Sequence, residues 1–245
     1  YAKEGSGADF RDEKQTLKSS HLDIDGISYT SRYHKARLHG LEPGEQYAYR
    51  VGANGYWSEW SNFSVPNPGA DRFKFIYMGD AQNDLYDTWT RVMRRAFTRC
   101  PDASFVLHAG DLINHADNDY EWAEFFAGTE PFNKSIPIIV TPGNHEYVKD
   151  LKGEKISFSK YWNPQFNFPE NGPEGFEDQV YYTDYGNARI ISLNSNRDIE
   201  AQAAWLDEVL SENPHTWSIV TFHHPVYSGS KGRYNEGVNQ HWRPI

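Results

Sequence analysis

The stretch Ile136-Pro137-Ile138-Ile139-Val140-Thr141-Pro142-Gly143-Asn144-His145-Glu146 decides the fold. A short apolar run bounded by prolines reads as a buried strand, because Pro137 and Pro142 stop a helix from passing through it. Its ending is chemically loaded: a glycine, then an amide, an imidazole and a carboxylate in succession. The same pattern recurs along the chain. Residues 73–78 run into Gly79-Asp80, residues 104–109 into Gly110-Asp111, and residues 217–222 into His223-His224-Pro225. Between these runs, residues 85–98 carry Trp89, Val92, Met93 and Phe97 at helical spacing, and residues 119–127 and 201–210 read as further helices. Strand–helix alternation of this kind predicts an α/β domain.

In α/β sheets, ligands bind beyond the carboxyl ends of the strands, so the four polar endings should converge on one crevice. Taken singly, a Gly-Asp pair after a strand is an ordinary turn. Four such endings, each behind a strand, are poorly explained as turns. Glycine lets the backbone bend sharply and approach an ion closely. Asp80, Asp111, Asn144, His145 and His223 together offer oxygen and imidazole donors, a set suited to Zn, Fe or Mn rather than to an all-oxygen Ca site.

Composition narrows the field. The 245-residue chain carries a formal net charge of -10, which disfavours nucleic acid as a partner because a phosphate footprint needs a basic patch. No apolar run reaches the roughly 18 residues of a membrane span. The single cysteine, Cys100, excludes an internal disulfide scaffold and reads as an inert thiol. Asn62-Phe63-Ser64 and Asn133-Lys134-Ser135 are glycosylation sequons, meaningful only in a eukaryotic secretory protein.

The turn-rich stretch at residues 65–71 reads as a linker. Before it, residues 36–41 and 47–52 are strand-like, Ala53-Asn54-Gly55 is a hairpin signal, and Trp57, Trp60 and Phe63 fall on a following strand. Leu41-x-Pro43-x-x-x-Tyr47 has the spacing of a tyrosine corner, whose hydroxyl bonds back to upstream backbone. This segment resembles the last strands of a fibronectin type III domain. Trp57-Ser58-Glu59-Trp60-Ser61 also matches the WSxWS box of cytokine receptors, in which arginine stacks on the Trp faces. Arg32, Arg37 and Arg50 are open to that contact, although a packed edge strand suffices to explain the sequence.

Gly79-Asp80, Gly110-Asp111, Gly143-Asn144-His145-Glu146 and Val220-Thr221-Phe222-His223 together resemble the calcineurin-like metallophosphoesterase signature. With the fibronectin-like segment in front, the chain is most similar to purple acid phosphatases. The resemblance implies an αββα sandwich of two mixed β-sheets flanked by helices, preceded by a partial all-β sandwich. It divides the chain into residues 1–67 and 72–245, with the first strands of the former and the end of the latter missing. It implies a dinuclear centre of two divalent or trivalent ions (Fe, Zn or Mn) and hydrolysis of a small phosphate monoester by a metal-bound hydroxide. Asp80 would bind the first metal, Asp111 would bridge both, and Asn144 and His223 would bind the second. His145 would hydrogen-bond the phosphate and protonate the leaving group, and His224 would orient the loop. An extracellular, periplasmic or cell-surface location is implied as well.

Two departures from the family pattern matter. The tyrosine expected three residues after the bridging aspartate is Asn114, followed by His115, so no ferric-tyrosinate colour is expected. Asn114 is open to ligation, to a hydrogen bond with a metal water, or to no role, and His115 is a candidate substitute. No Gly-His dipeptide occurs in the chain. The family's Gly-His-x-His ligands, two further histidines, are therefore expected beyond residue 245, and the polypeptide alone should show little activity. His108 is either a partner to a ligand carboxylate or a core histidine. Tyr227, Arg233 and Glu236, on the loop after His223, are candidate substrate-pocket residues. Two rival functions remain: phosphodiester hydrolysis on the same core, and a non-catalytic binding or adhesion module. Oligomeric state is not legible.

Overall fold

A computed structural model describes residues 1–4, 14–26 and 29–245. The N-terminal part is β-rich. Strands β1 (Ala2–Lys3), β4 (Gln46–Tyr49) and β7 (Ser61–Ser64) form one antiparallel sheet in the order β1-β4-β7. Strands β2 (Ser20–Asp25) and β3 (Thr30–Lys35) form a hairpin, as do β5 (Gly52–Ala53) and β6 (Tyr56–Trp57). The second hairpin turns at Asn54 and Gly55, both at positive φ, as a two-residue turn of its twist requires. The tyrosine corner is formed: the Glu42 N–H donates to the Tyr47 hydroxyl at 2.9 Å. The expected strand at residues 36–41 is instead an extended loop. The chain pairs one segment earlier, over Thr30–Lys35, where Ser20–Asp25 supplies a ladder partner.

Beyond residue 72 the chain builds two sheets. Strands β8 (Phe75–Met78), β9 (Phe105–His108) and β10 (Ile138–Val140) are parallel, in the order β10-β9-β8. A small antiparallel hairpin follows, β11 (Tyr147–Lys149) with β12 (Lys155–Phe158). The second sheet is mixed: β13 (Tyr181–Tyr185) runs antiparallel to β14 (Ala188–Ser192), which runs parallel to β15 (Trp217–Thr221). Phe105, Leu107 and Ile190 are buried between the sheets with Phe73, Phe75, Ile139 and Ile219 against them, and the Phe75 and Phe105 rings stack at 5.1 Å.

Helices cover the outer faces. Helix α1 (Thr90–Arg99) buries Met93 and Phe97, four residues apart and hence on one side, and leaves Arg91, Arg94, Arg95 and Arg99 off that buried stripe. It ends at Cys100 because Pro101 disfavours a helical residue before it. Helix α2 (Asp119–Asn133) begins at Asn118, whose side chain accepts from the Tyr120 N–H, and it packs Trp122 and Phe125 into the same core. Trp122, Phe125 and Met93 are fully buried, each stabilising the fold by about 1.5–3 kcal/mol. A short helix, α3 (Trp162–Gln165), adds Trp162 to this core. On the other face, α4 (Ile199–Ser211) sets Leu206 and Val209 against Ile191 and Leu193. The result is helix, sheet, sheet, helix, with the carboxyl ends of β8, β9, β10 and β15 carrying the four polar loops.

Candidate metal centre

Asp80 and Asp111 both sit at φ 55°, each just past a parallel strand, although of the two preceding glycines only Gly110 is itself at positive φ. The loops are packed onto each other. A Cβ on Gly110 would lie 2.6 Å from Gly143 N, and one on Gly143 would lie 2.2 Å from Asp111 Oδ1. No side chain fits between these turns, which is why glycine precedes the polar residue here.

Ligand-type atoms of Asp80, Asp111 and His223 lie within 4.8 Å of one another. His223 Nε2 is 3.2 Å from Asn144 Oδ1 and 3.3 Å from Asp111 Oδ2. His223 Nδ1 lies 2.9 Å from the Ala109 carbonyl. A carbonyl only accepts, so Nδ1 carries the proton and Nε2 faces the cluster. His145 obeys the same logic. Its Nδ1 donates to the Asn114 carbonyl at 2.7 Å, leaving Nε2 turned inward, 3.9 Å from Asp111 Oδ2. Its backbone N–H also donates to Asp111 Oδ1 at 2.9 Å.

The electrostatics are those of a crowded acidic site. Partial desolvation pushes the carboxyl of Asp80, itself an exposed residue, above its ordinary range; Asp111 adds to the shift and His223 opposes it. Burial acts on Asp111 as well, but the hydrogen bond and charge of His223 outweigh it and hold Asp111 below the usual carboxylate value. His223 is correspondingly raised: burial opposes the shift, and Asp111 wins. Two carboxylates this close call for positive charge between them. The mixed oxygen and imidazole donors of Asp80, Asp111, Asn144 and His223 fit a borderline transition metal ion, with Nε2 of His223 already presented by its tautomer.

The organising residue is Glu146, which the sequence shows only as the end of a motif. Its fully buried carboxylate accepts from the backbone N–H groups of Asp111 (3.0 Å), Leu112 (2.7 Å) and Gly143 (2.6 Å). It ties the second and third loops into one unit. Burial and the Asp111 charge push its pKa up to about 7 against the pull of those hydrogen bonds.

Other candidates lie outside the cluster. His108 is fully buried, with Trp89 and Phe125 edge-on to its ring and, among the described residues, no hydrogen-bond partner on either nitrogen. Its surroundings are those of a core residue, and burial pushes its pKa down to about 3. His115 turns away to Glu121, its Nδ1 2.7 Å from Oε1. Asn114 enters the site through its carbonyl rather than its amide, whose nitrogen lies 3.4 Å from His115 Nδ1. His224 is held by Ser195: Nδ1 is 2.9 Å from Oγ, and the His224 N–H donates to the same oxygen at 3.0 Å. Arg233 is exposed yet close enough to act on Asp80 electrostatically. Tyr227 is exposed beneath Arg243, and Glu236 is exposed.

Comparison with known proteins agrees with this geometry. Residues 73–244 match the calcineurin-like phosphoesterase family, and residues 1–65 match the purple acid phosphatase N-terminal domain. Acid phosphatase type 7 of Mus musculus is 29% identical over 212 residues, covering 79% of this chain and 45% of that protein. Purple acid phosphatase 21 of Arabidopsis thaliana is 30% identical over 215 residues, covering 85% of this chain and 47% of the relative. A purple acid phosphatase from yellow lupin seeds shares the fold with a TM-score of 0.68 at 22% identity, over 87% of this chain and 44% of that one. The chain thus spans less than half the length of these relatives. With the family match covering most of the chain and the polar loops meeting at the carboxyl ends of the strands, the chain belongs to the calcineurin-like phosphoesterase family.

Proposed function

We propose that the protein is a metal-dependent phosphomonoester hydrolase of the acid phosphatase type, with Asp80, Asp111, Asn144 and His223 holding a dinuclear centre of Fe, Zn or Mn. The observation that carries this reading is the meeting of Asp80, Asp111 and His223 within 4.8 Å at the ends of three different strands. When bound, the ions supply Lewis-acid neutralisation of the phosphoryl oxygens and an acidified water as nucleophile. Asp111, within reach of both Asp80 and His223, would hold both ions. His145 faces the site through Nε2, and in its doubly protonated form it donates that proton to the departing alkoxide while Nδ1 stays bonded to the Asn114 carbonyl. Glu146 holds the Asp111 and Gly143 backbone in place without touching substrate. His224, pinned by Ser195, fixes the loop that presents His223. Arg233, near Asp80, is the best placed of the loop residues to meet an anionic oxygen.

We further read residues 1–67 as a fibronectin type III-like domain, supported by the Tyr47 corner, and residues 72–245 as the phosphoesterase domain. A location outside the cytoplasm follows by analogy with the family, and no helix among the described residues is long and apolar enough to cross a membrane. The test is metal titration of the 245-residue protein, with the relative turnover of p-nitrophenyl phosphate and its bis ester compared at the low activity expected of this polypeptide alone. Metal binding that Asp111→Asn abolishes, with the monoester cleaved faster than the diester, is expected. Metal binding unchanged in Asp111→Asn, or faster cleavage of the diester, would overturn the reading.

A further inference from the structure

The β11–β12 hairpin leaves the Gly143-Asn144-His145-Glu146 loop directly, since Tyr147 follows Glu146. A register shift at Val148/Lys149 sets Lys155, instead of Ile156, opposite Lys149. Bulges re-aim side chains, and they concentrate beside active sites. Here the bulge does something that costs stability, because like charges placed directly opposite each other in an antiparallel pair repel. Among the described residues neither lysine has a carboxylate partner. The Lys155 ammonium is held by neutral groups: it donates to Asn196 Oδ1 at 2.8 Å and lies 5.1 Å from the centre of the Tyr147 ring. Asn196 Nδ2 donates in turn to the Pro142 carbonyl at 3.1 Å, one residue before Gly143, so Lys155 is tethered to the ligand loop. Its charge is felt at both Asp111 and His224.

Two lysines brought face to face at the rim of an acidic site, in a chain of net charge -10, lack only an anion between them. We infer that Lys149 and Lys155 form an anion subsite for the leaving group, so that the preferred substrates are phosphate monoesters whose leaving group carries a second negative charge. This rests on the phosphomonoesterase reading above. The scissile phosphate belongs at the Asp80–Asp111–His223 cluster, and the hairpin stands at its rim, where the remainder of the ester emerges.

Calorimetric titration of the metal-loaded protein with two inert probes, phenylphosphonate and 4-carboxyphenylphosphonate, tests the subsite without turnover. The carboxylated probe should bind about tenfold tighter to the wild type, the scale of one charge-assisted hydrogen bond. In Lys149→Met/Lys155→Met that ratio should fall to about one, whatever loss the two probes share, and Lys149→Arg/Lys155→Arg should restore it. A ratio unaltered by the methionine pair, or equal losses for both probes, overturns the subsite alone. A metal-loaded wild type that binds neither probe overturns the hydrolase reading with it.

Discussion

Asp80 and Asp111 close two parallel strands with the same two-residue sequence and the same φ of 55°, yet they live in opposite surroundings. Asp111 is 2% exposed, accepts from the His145 N–H, and has its own N–H fixed by Glu146. Asp80 is exposed, with its N–H bonded only to the Gly110 carbonyl. One half of the site is built into the fold, while the other stands at its surface. Rigidity at Asp111 presets the position of the donors it shares with His223 and His145, whereas Asp80 is free to adjust to what arrives. The preorganised half should therefore carry the stability cost of mutation, and the open half should not.

Glu146→Ala should break the comparison most strongly. It strands three buried N–H donors on two loops, and at about 1–3 kcal/mol for each unsatisfied group the loss should be about 3 kcal/mol or more. Urea unfolding of the metal-free protein would measure it, and Asp80→Ala in the same assay should change little. A glycine pair sharpens the contrast at smaller scale. Gly143→Ala drives a methyl to 2.3 Å from Asp111 N, which backbone must yield to accommodate, at about 1–3 kcal/mol. Gly79→Ala meets nothing nearer than Ala109 Cβ at 3.5 Å and should be close to neutral. Equal destabilisation at the two glycines would show that the loops are not packed as described. Metal affinity should divide the same way. Asp111→Asn, which disturbs His223 and His145 together, should weaken binding more than Asp80→Asn, as direct metal titration would show.

The strand-end donors were legible because each apolar run stops at glycine or histidine with a ligand-type side chain attached, and parallel topology brings such ends together. Glu146 was visible as a letter but not as a clamp. A carboxylate after Asn-His reads equally well as ligand or turn, and only its burial against Asp111, Leu112 and Gly143 shows which backbone it serves. The β11–β12 hairpin was missed because its strands are short and its turn, Asp150 to Glu154, carries its one apolar side chain, Leu151, fully exposed. In the N-terminal part, the Trp57 and Trp60 pattern left Arg32, Arg37 and Arg50 open to stacking, beside the plainer reading of a packed edge strand. Arg50 fills the role, with its guanidinium 4.6 and 4.8 Å from the two rings, because β4 carries it to the β5–β6 hairpin, while Arg32 is paired with Asp23.

The second sheet offers a carboxylate whose partners are supplied entirely by the fold. Asp184 on β13 stands in register with Arg189 on β14, whose Nε and Nη2 donate to it at 2.9 and 3.1 Å, and His215 Nε2 lies 3.2 Å away. Burial alone would raise this carboxyl, but the bonds from Arg189 and His215 win and hold it below its ordinary value. A carboxylate with a depressed folded-state pKa stabilises the protein above its unfolded value, about 4, and that contribution is lost as pH falls through the folded value. Asp184→Asn should therefore cost stability at pH 7, and the gap should begin to close below about pH 4 and vanish once pH falls below the folded value. Asp184 is 36% exposed at its side chain, so screening limits the effect to about 1 kcal/mol, the smallest of those considered. Urea midpoints across that range would measure it. A gap that stayed constant down to about pH 3 would mean that Asp184 acts by packing, not by charge. A vanishing gap would mark it as a carboxylate with its counter-charge built in, unlike Asp80, whose carboxyl stays above its ordinary range despite His223 and Arg233.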